Sequence, residues 1–92
     1  MTDLVDALRT LPDVEERPSQ WTGGPAFWLD GREIVHFHGD EVEIRLTRRV
    51  IAEVDDRRVA RRTRTSDWVA VSLRERELAL DLARAAVEAN RR

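Results

Sequence analysis

The spacing of apolar residues changes along the chain, from a helical period near the N-terminus to alternation in the middle. Leu4, Leu8 and Leu11 recur at helical spacing, which predicts a short first helix. Pro12 follows this stripe and is expected to end the helix. From Ala26 to Leu46, apolar and polar residues mostly alternate, as they do in strands that bury one face. The chain is therefore expected to combine a sheet with helices.

Two tight turns are predicted within the alternating stretch, at the Asp-Gly pair 30–31 and the Gly-Asp pair 39–40. Each pair stands between β-prone runs and is typical of a two-residue hairpin loop. Such a loop fixes the pairing of the two strands that it joins. The first hairpin is therefore expected to set Phe27 opposite Ile34, and the second to set His36 opposite Glu43.

Because side chains alternate across a sheet, the two turns assign each residue to one face. The expected core face carries one charge and seven apolar residues, namely Glu33 and Ala26, Trp28, Val35, Phe37, Val42, Ile44 and Leu46. The opposite face, here called the mixed face, carries Phe27, Leu29, Ile34, His36, His38, Glu41, Glu43 and Arg45.

The rest of the chain supplies five further elements, one strand before the first hairpin and four elements after the second. They are predicted as a strand, a helix, an edge strand, a strand and a long helix at 14–17, 47–55, 57–64, 67–73 and 74–90. Trp68 alternates away from Val69 and Val71 and is expected to join the mixed face. The predicted fold is α+β, an antiparallel sheet with helices packed on one face, in the order α-β-β-β-β-α-β-β-α.

Size and composition limit the classes of protein to which the chain can belong. Its 92 residues fit a single domain, 1–92, with a frayed tail expected at 91–92, and 41% hydrophobic residues are enough for a core. The absence of cysteine excludes disulfide frameworks, zinc ribbons and thiol chemistry. No secretory signal or membrane-spanning run is visible, so we expect a cytoplasmic domain without membrane contact.

Charge is unevenly distributed, although the net charge of the chain is only −2. Residues 1–44 hold ten acidic residues and three arginines, whereas residues 45–64 hold eight arginines and three acidic residues. An acidic partner, including the acidic half of a second copy, is one candidate for the basic run, so homo-oligomerisation is open. Nucleic acid is disfavoured, because the whole chain is acidic and shows no recognition motif.

Three segments resemble a known family. They are the run HFHGDEVEIRLTR from His36 to Arg48, the tetrapeptide SDWV at 66–69 and the alanine-rich helix around 79–86. Together they are similar to the uncharacterised "luciferase domain" family of small bacterial and fungal proteins, over about residues 11–89. The resemblance implies a single cytoplasmic α+β domain. It carries over no catalytic residue, because the family name is a label and not a demonstrated activity.

His36 and His38 stand two residues apart on one predicted strand, so both rings are expected on the mixed face. The second turn sets Glu43 opposite His36 and Glu41 opposite His38. Two imidazoles and a carboxylate could hold zinc, iron or nickel, and a carboxylate could also prepare a histidine for acid–base catalysis. Cross-strand His–Glu pairs on a solvated face fit the same spacing. Metal binding, metal-free catalysis and simple pairing therefore stay open.

The mixed face is also the best candidate for a binding patch, since an apolar floor with an ionisable rim is typical of such sites. Its predicted members are Phe27, Leu29, Ile34, His36, His38, Glu43, Arg45 and Trp68. Trp21, in a glycine-rich loop, either plugs a sheet edge or lines a pocket. We predict a binding module for an unidentified small ligand or protein partner, without a cofactor. The alternative is a metal- or histidine-dependent enzyme centred on His36, His38 and Glu43.

Overall fold

The computed structural model describes residues 2–63 and 65–91 and contains an antiparallel six-stranded sheet and three helices. In chain order the elements are α1 (Thr2–Leu8), β1 (Glu15–Pro18), β2 (Pro25–Leu29), β3 (Arg32–His38), β4 (Glu41–Arg45), α2 (Arg48–Ile51), β5 (Val59–Arg61), β6 (Trp68–Ser72) and α3 (Arg76–Ala89). This α+β order is the predicted one. Arg64 of the predicted edge strand and Arg92 of the predicted tail lie outside the described residues.

The strands are arranged in the order β1-β2-β3-β4-β6-β5, and every neighbouring pair is antiparallel. α3 packs against β3, β4 and β6, and α1 packs against α3. Small residues such as Ala83 and Ala86, both fully buried, bring α3 close to the sheet. The core therefore lies between the helices and one face of the sheet. None of the helices within 2–63 and 65–91 has the length and apolar character needed to cross a membrane.

The second hairpin, β3–β4, has the predicted register. Gly39 adopts φ 63° in the two-residue turn, a conformation that favours glycine. His36 lies opposite Glu43 and His38 lies opposite Glu41, as the turn position requires. Alternation then continues without interruption along both strands.

The first hairpin, β2–β3, keeps the predicted two-residue turn but not the whole predicted register. Trp28 pairs with Glu33 as expected, whereas Phe27 pairs with Val35 because the register shifts between Phe27 and Trp28. The predicted pairing of Phe27 with Ile34 is therefore wrong. Ile34 is the extra residue of a β-bulge, which places two residues of β3 against one step of β2.

The bulge exchanges the two faces of β2 relative to the prediction. Phe27, Leu29 and Ile34 are at most 1% exposed and belong to the core beneath the helices, so their predicted place on the mixed face is wrong. Trp28 and Glu33 turn to the opposite face, where a carboxylate can find polar partners. Without the extra residue, Glu33 would face the helices next to Val35, and burial of an unpaired charge there is costly.

Candidate ligand-binding cleft

A cavity of about 520 Å3 opens on the sheet face that the helices leave uncovered. It is here called the cleft. Residues from β3, β4 and β6 form its floor, and residues from the loop after β1 and the segment between β5 and β6 form its walls. The lining residues are Trp21, Thr22, His36, His38, Glu43, Arg62, Thr63, Ser66 and Trp68. A volume of this size is in the range of small-molecule sites in proteins.

Three aromatic rings in mutual contact form the apolar part of the cleft. The centroids of Trp21 and Trp68 lie 5.5 Å apart in an edge-to-face arrangement, and the His36 ring lies 4.8 Å from Trp68 and 5.4 Å from Trp21. Such geometry is favourable for aromatic pairs. Trp21 is nevertheless 60% exposed, and it is the one large hydrophobic residue exposed to this extent within 2–63 and 65–91.

His36 is buried between two glutamates. Its Nε2 lies 2.6 Å from Oε1 of Glu43, and its Nδ1 lies 2.9 Å from Oε2 of Glu33, although the second contact is outside hydrogen-bond geometry. Both ring nitrogens therefore lie beside carboxylates, and of the two only Nε2 makes a hydrogen bond.

Glu33 ties the loop that carries Trp21 to the sheet. The carboxylate is 1% exposed, and it accepts hydrogen bonds from the hydroxyl of Ser19 at 2.7 Å and from the backbone N–H of Gln20 at 2.9 Å. The Ser19 oxygen in turn accepts the backbone N–H groups of Trp21 and Thr22, both at 3.1 Å. One buried acidic side chain thus fixes the wall of the cleft.

Glu43 stays ionised through its two partners. Burial raises the pKa of this carboxyl, but hydrogen bonds from His36 and Arg62 outweigh burial, so its pKa lies below the usual value of a glutamate. Oε1 accepts from His36 and Oε2 accepts from Arg62. The Arg62 side chain is 54% exposed, and it forms the rim of the cleft toward solvent.

The structure brings half of the predicted site residues together and separates the others. His36, His38, Glu43 and Trp68 line the cleft. Arg45 does not line it, because its guanidinium donates to the side chains of Asn90 and Asp67. The remaining three predicted members, Phe27, Leu29 and Ile34, are the core residues described above.

Five lining residues, and the carboxylate behind His36, are not among the predicted site residues. Thr22, Arg62, Thr63 and Ser66 come from irregular segments, where no period in the sequence assigns a direction to a side chain. Trp21 was recognised as a pocket candidate but not assigned to the site. Glu33 did carry a signal, since it was the single charge on an otherwise apolar predicted face.

The three residues of the metal and catalytic alternatives have different surroundings. No group of three or more His, Asp or Glu side chains within the described ranges is arranged to hold a metal ion. His38 is exposed, whereas His36 and Glu43 are buried, so the predicted three ligands do not form one coordination site. A general base needs a ring nitrogen directed at the substrate, and both nitrogens of His36 face carboxylates.

The basic run between α2 and β6 is largely paired within the molecule. Arg58 binds the carboxylates of Asp56 and Glu75, and the hydrogen bonds from Arg58 lower the pKa of Asp56 to about 2. Arg61 donates to the backbone carbonyl of Ile51 at 3.0 Å. With Arg62 held by Glu43, three of the arginines in this run already have intramolecular acceptors.

Comparison with known proteins supports the resemblance seen in the sequence. The model of the luciferase domain family matches residues 31–89, which is more than half of the chain. The match begins in the first hairpin, so it includes His36, Glu43 and Trp68 but not the loop with Trp21. No curated protein and no solved structure matches the chain. The family match covers both hairpin strands at the cleft as well as α3, and the chain therefore belongs to the luciferase domain family.

Proposed function

We propose that this domain is a binding module that takes a small ligand in the cleft. The observation that carries the proposal is the position of Trp21, which stays 60% exposed while its ring contacts His36 and Trp68 at the mouth of a 520 Å3 cavity. Exposed apolar surface beside a few fixed polar groups is typical of ligand sites. A planar apolar ring would cover the indole of Trp21 and remove its surface from water.

Binding is favoured over catalysis because the two buried ionisable groups of the cleft, His36 and Glu43, are held by one another. His36 and Glu43 are hydrogen-bonded at 2.6 Å, and Arg62 donates to the second oxygen of Glu43. A rigid, preorganised set of charges suits recognition, whereas proton transfer needs a group free to accept a proton from the substrate. The enzyme centred on His36, His38 and Glu43 remains the alternative. It would be excluded if His36→Ala converted a substrate of the domain as fast as the original protein does.

The proposal includes self-association as a second mode of binding. The charge asymmetry between residues 1–44 and residues 45–64 is the feature that would attract a second copy. Sedimentation equilibrium at low salt should then give a mass above that of one chain, and the mass should fall as salt screens the attraction. The mass of a monomer at every concentration would contradict self-association.

We also propose a cytoplasmic location, to be checked by cell fractionation.

Ligand binding can be tested with the three tryptophan side chains as reporters. Each indole N–H gives a separate signal in a proton–nitrogen correlation spectrum of labelled protein. We expect planar aromatic compounds at millimolar concentration to shift the signals of Trp21 and Trp68, which line the cleft. Trp28 does not line it and serves as the internal control.

Two variants connect these shifts to the cleft. Trp21→Ala should abolish saturable shifts of the Trp68 signal, because it removes the exposed wall. Trp28→Phe changes a tryptophan outside the cleft and should leave binding intact. Compounds that move all three signals alike, or that bind Trp21→Ala as well as the original protein, would contradict the proposal.

A further inference from the structure

We infer that the cleft selects ligands in which a planar apolar ring carries an anionic group, and that Arg62 receives the anion. The inference rests on the proposed function, since it names the class of ligand that the same cleft would bind. It follows from the hydrogen-bonding groups that the cleft has already used and from those that it leaves available.

The carboxylate oxygens in the described lining already have cationic partners. Glu43 is the one carboxylate there, and its two oxygens accept from His36 and from Arg62. Glu43 is also 5% exposed, so a ligand ammonium would have to compete with these charged partners for a carboxylate that is nearly buried. Breaking a buried, charge-assisted hydrogen bond costs more than a new exposed contact returns.

Donor capacity, by contrast, is left over at the rim. A guanidinium has five N–H groups, and Arg62 is 54% exposed with one nitrogen engaged by Glu43. His38 is exposed on the same face of β3 as His36, and the exposed hydroxyl of Thr63 lies in the same lining. These exposed groups belong to one lining, and a carboxylate, sulfonate or phosphate would accept hydrogen bonds from them.

The lining of the cleft supplies both parts that such a ligand requires, an apolar ring surface and a cationic group. Trp21 and Trp68 offer ring surface, and Arg62, in the same lining, offers its guanidinium. Arginine binds planar oxyanions through two parallel hydrogen bonds. A cavity of about 520 Å3 has room for a two-ring system with a short acidic arm.

Three probes that share one ring and differ in charge test the inference: 2-naphthoate, 2-naphthylmethanol and 2-naphthylmethylamine. Dissociation constants come from the indole shifts of Trp21 and Trp68. We expect the carboxylate to bind about tenfold more tightly than the alcohol, and the ammonium to bind more weakly than the alcohol. Arg62→Gln should reduce the affinity for naphthoate to that which the same variant shows for the alcohol.

Two further variants separate the guanidinium from net charge and from folding. Arg57→Gln removes the same charge from an exposed residue outside the cleft and should keep the preference for naphthoate. Arg62→Lys should keep part of the preference, because the charge stays and the planar fork is lost. Thermal unfolding monitored by circular dichroism checks that each variant is folded.

The outcomes distinguish this inference from the proposed function. Equal affinity for all three probes, or tightest binding of the ammonium, overturns the anion inference and leaves a ligand cleft. Loss of the naphthoate preference in Arg57→Gln as well as in Arg62→Gln also overturns it, because general attraction would then explain the preference. Failure of every probe to shift Trp21 and Trp68 overturns the proposed function together with the inference.

Discussion

The two faces of the sheet are almost equally buried near their centres, but different forces hold them. Under the helices, the face is filled by apolar residues such as Phe27, which is fully buried. On the opposite face, Glu33, His36 and Glu43 are 1%, 6% and 5% exposed and depend on one another for partners. Buried ion pairs often add no stability over well-packed apolar residues. The charged set is therefore better explained by the cleft that it shapes than by the stability of the fold.

The largest effect is expected on the apolar face. Phe27→Ala should lower the free energy of unfolding by about 3–5 kcal/mol, because it removes a fully buried ring and leaves a cavity. Urea denaturation measures the loss. Trp28→Ala, one residue along β2, should have a smaller effect, since Trp28 is partly exposed and lies outside the core cluster.

This pair of variants also tests the bulge. If β2 and β3 paired without the extra residue, Trp28 would lie under the helices and Phe27 on the mixed face. A larger loss in Trp28→Ala than in Phe27→Ala would therefore contradict the bulged register of β2 and β3 and would reverse the assignment of faces.

The same strands show how far sequence patterns reach. The β3–β4 pairing was predictable because both strands alternate regularly from a turn of fixed length, and it correctly placed His36 opposite Glu43. The β2–β3 pairing was predicted correctly only up to Trp28, since one extra residue at Ile34 changes the parity of everything beyond it. Alternation cannot reveal an inserted residue, but Glu33 on an apolar face was the local contradiction that pointed to one.

Prediction of the site had a similar limit. His36, His38, Glu43 and Trp68 belong to strands, and the pleat alone assigns them to one face. The residues that close the cleft, such as Arg62, come from segments without a period, and their positions depend on tertiary contacts. In a regular strand, alternation fixes the face on which each side chain lies. In a loop, the direction of each side chain depends on its tertiary contacts.

The second largest effect is expected at Glu33, whose carboxylate holds the loop after β1 against the sheet. Glu33→Gln should lower the free energy of unfolding by about 1–3 kcal/mol, because the buried site loses a carboxylate that receives Ser19 and the N–H of Gln20 and that faces His36. Urea denaturation measures the loss. Broadening of the Trp21 indole signal should accompany it, since the loop after β1 loses its anchor.

Glu15→Gln is the matched control for Glu33→Gln, because it makes the same change at an exposed strand residue. It should leave both stability and the Trp21 signal unchanged. If Glu33→Gln sharpened or preserved the Trp21 signal, the loop would be held by other contacts and Glu33 would not position the cleft wall.

The contribution of Glu43 to the free energy of unfolding should be smaller and should depend on pH. The pKa of Glu43 is lowered in the folded state, so the ionised form stabilises the fold at pH values above the ordinary glutamate pKa of about 4.3. This stabilisation is lost as the pH falls through the lower, folded-state pKa. The difference in unfolding free energy between the original protein and Glu43→Gln should thus be constant near neutral pH and shrink in acid. A difference that grows in acid would reverse the sign of the shift.

The smallest effect is expected at Trp28, whose side chain lies on the sheet face opposite the helices. Its indole N–H is buried and finds no acceptor among residues 2–63 and 65–91, while Arg17 lies 5.2 Å above the ring. Trp28→Phe removes the unsatisfied donor and keeps an aromatic ring for Arg17, so the free energy of unfolding should stay within about 1 kcal/mol of the original. Urea denaturation of this variant beside Trp28→Ala separates the N–H from the ring. A larger loss in Trp28→Phe would contradict this, because it would mean that the N–H has a partner.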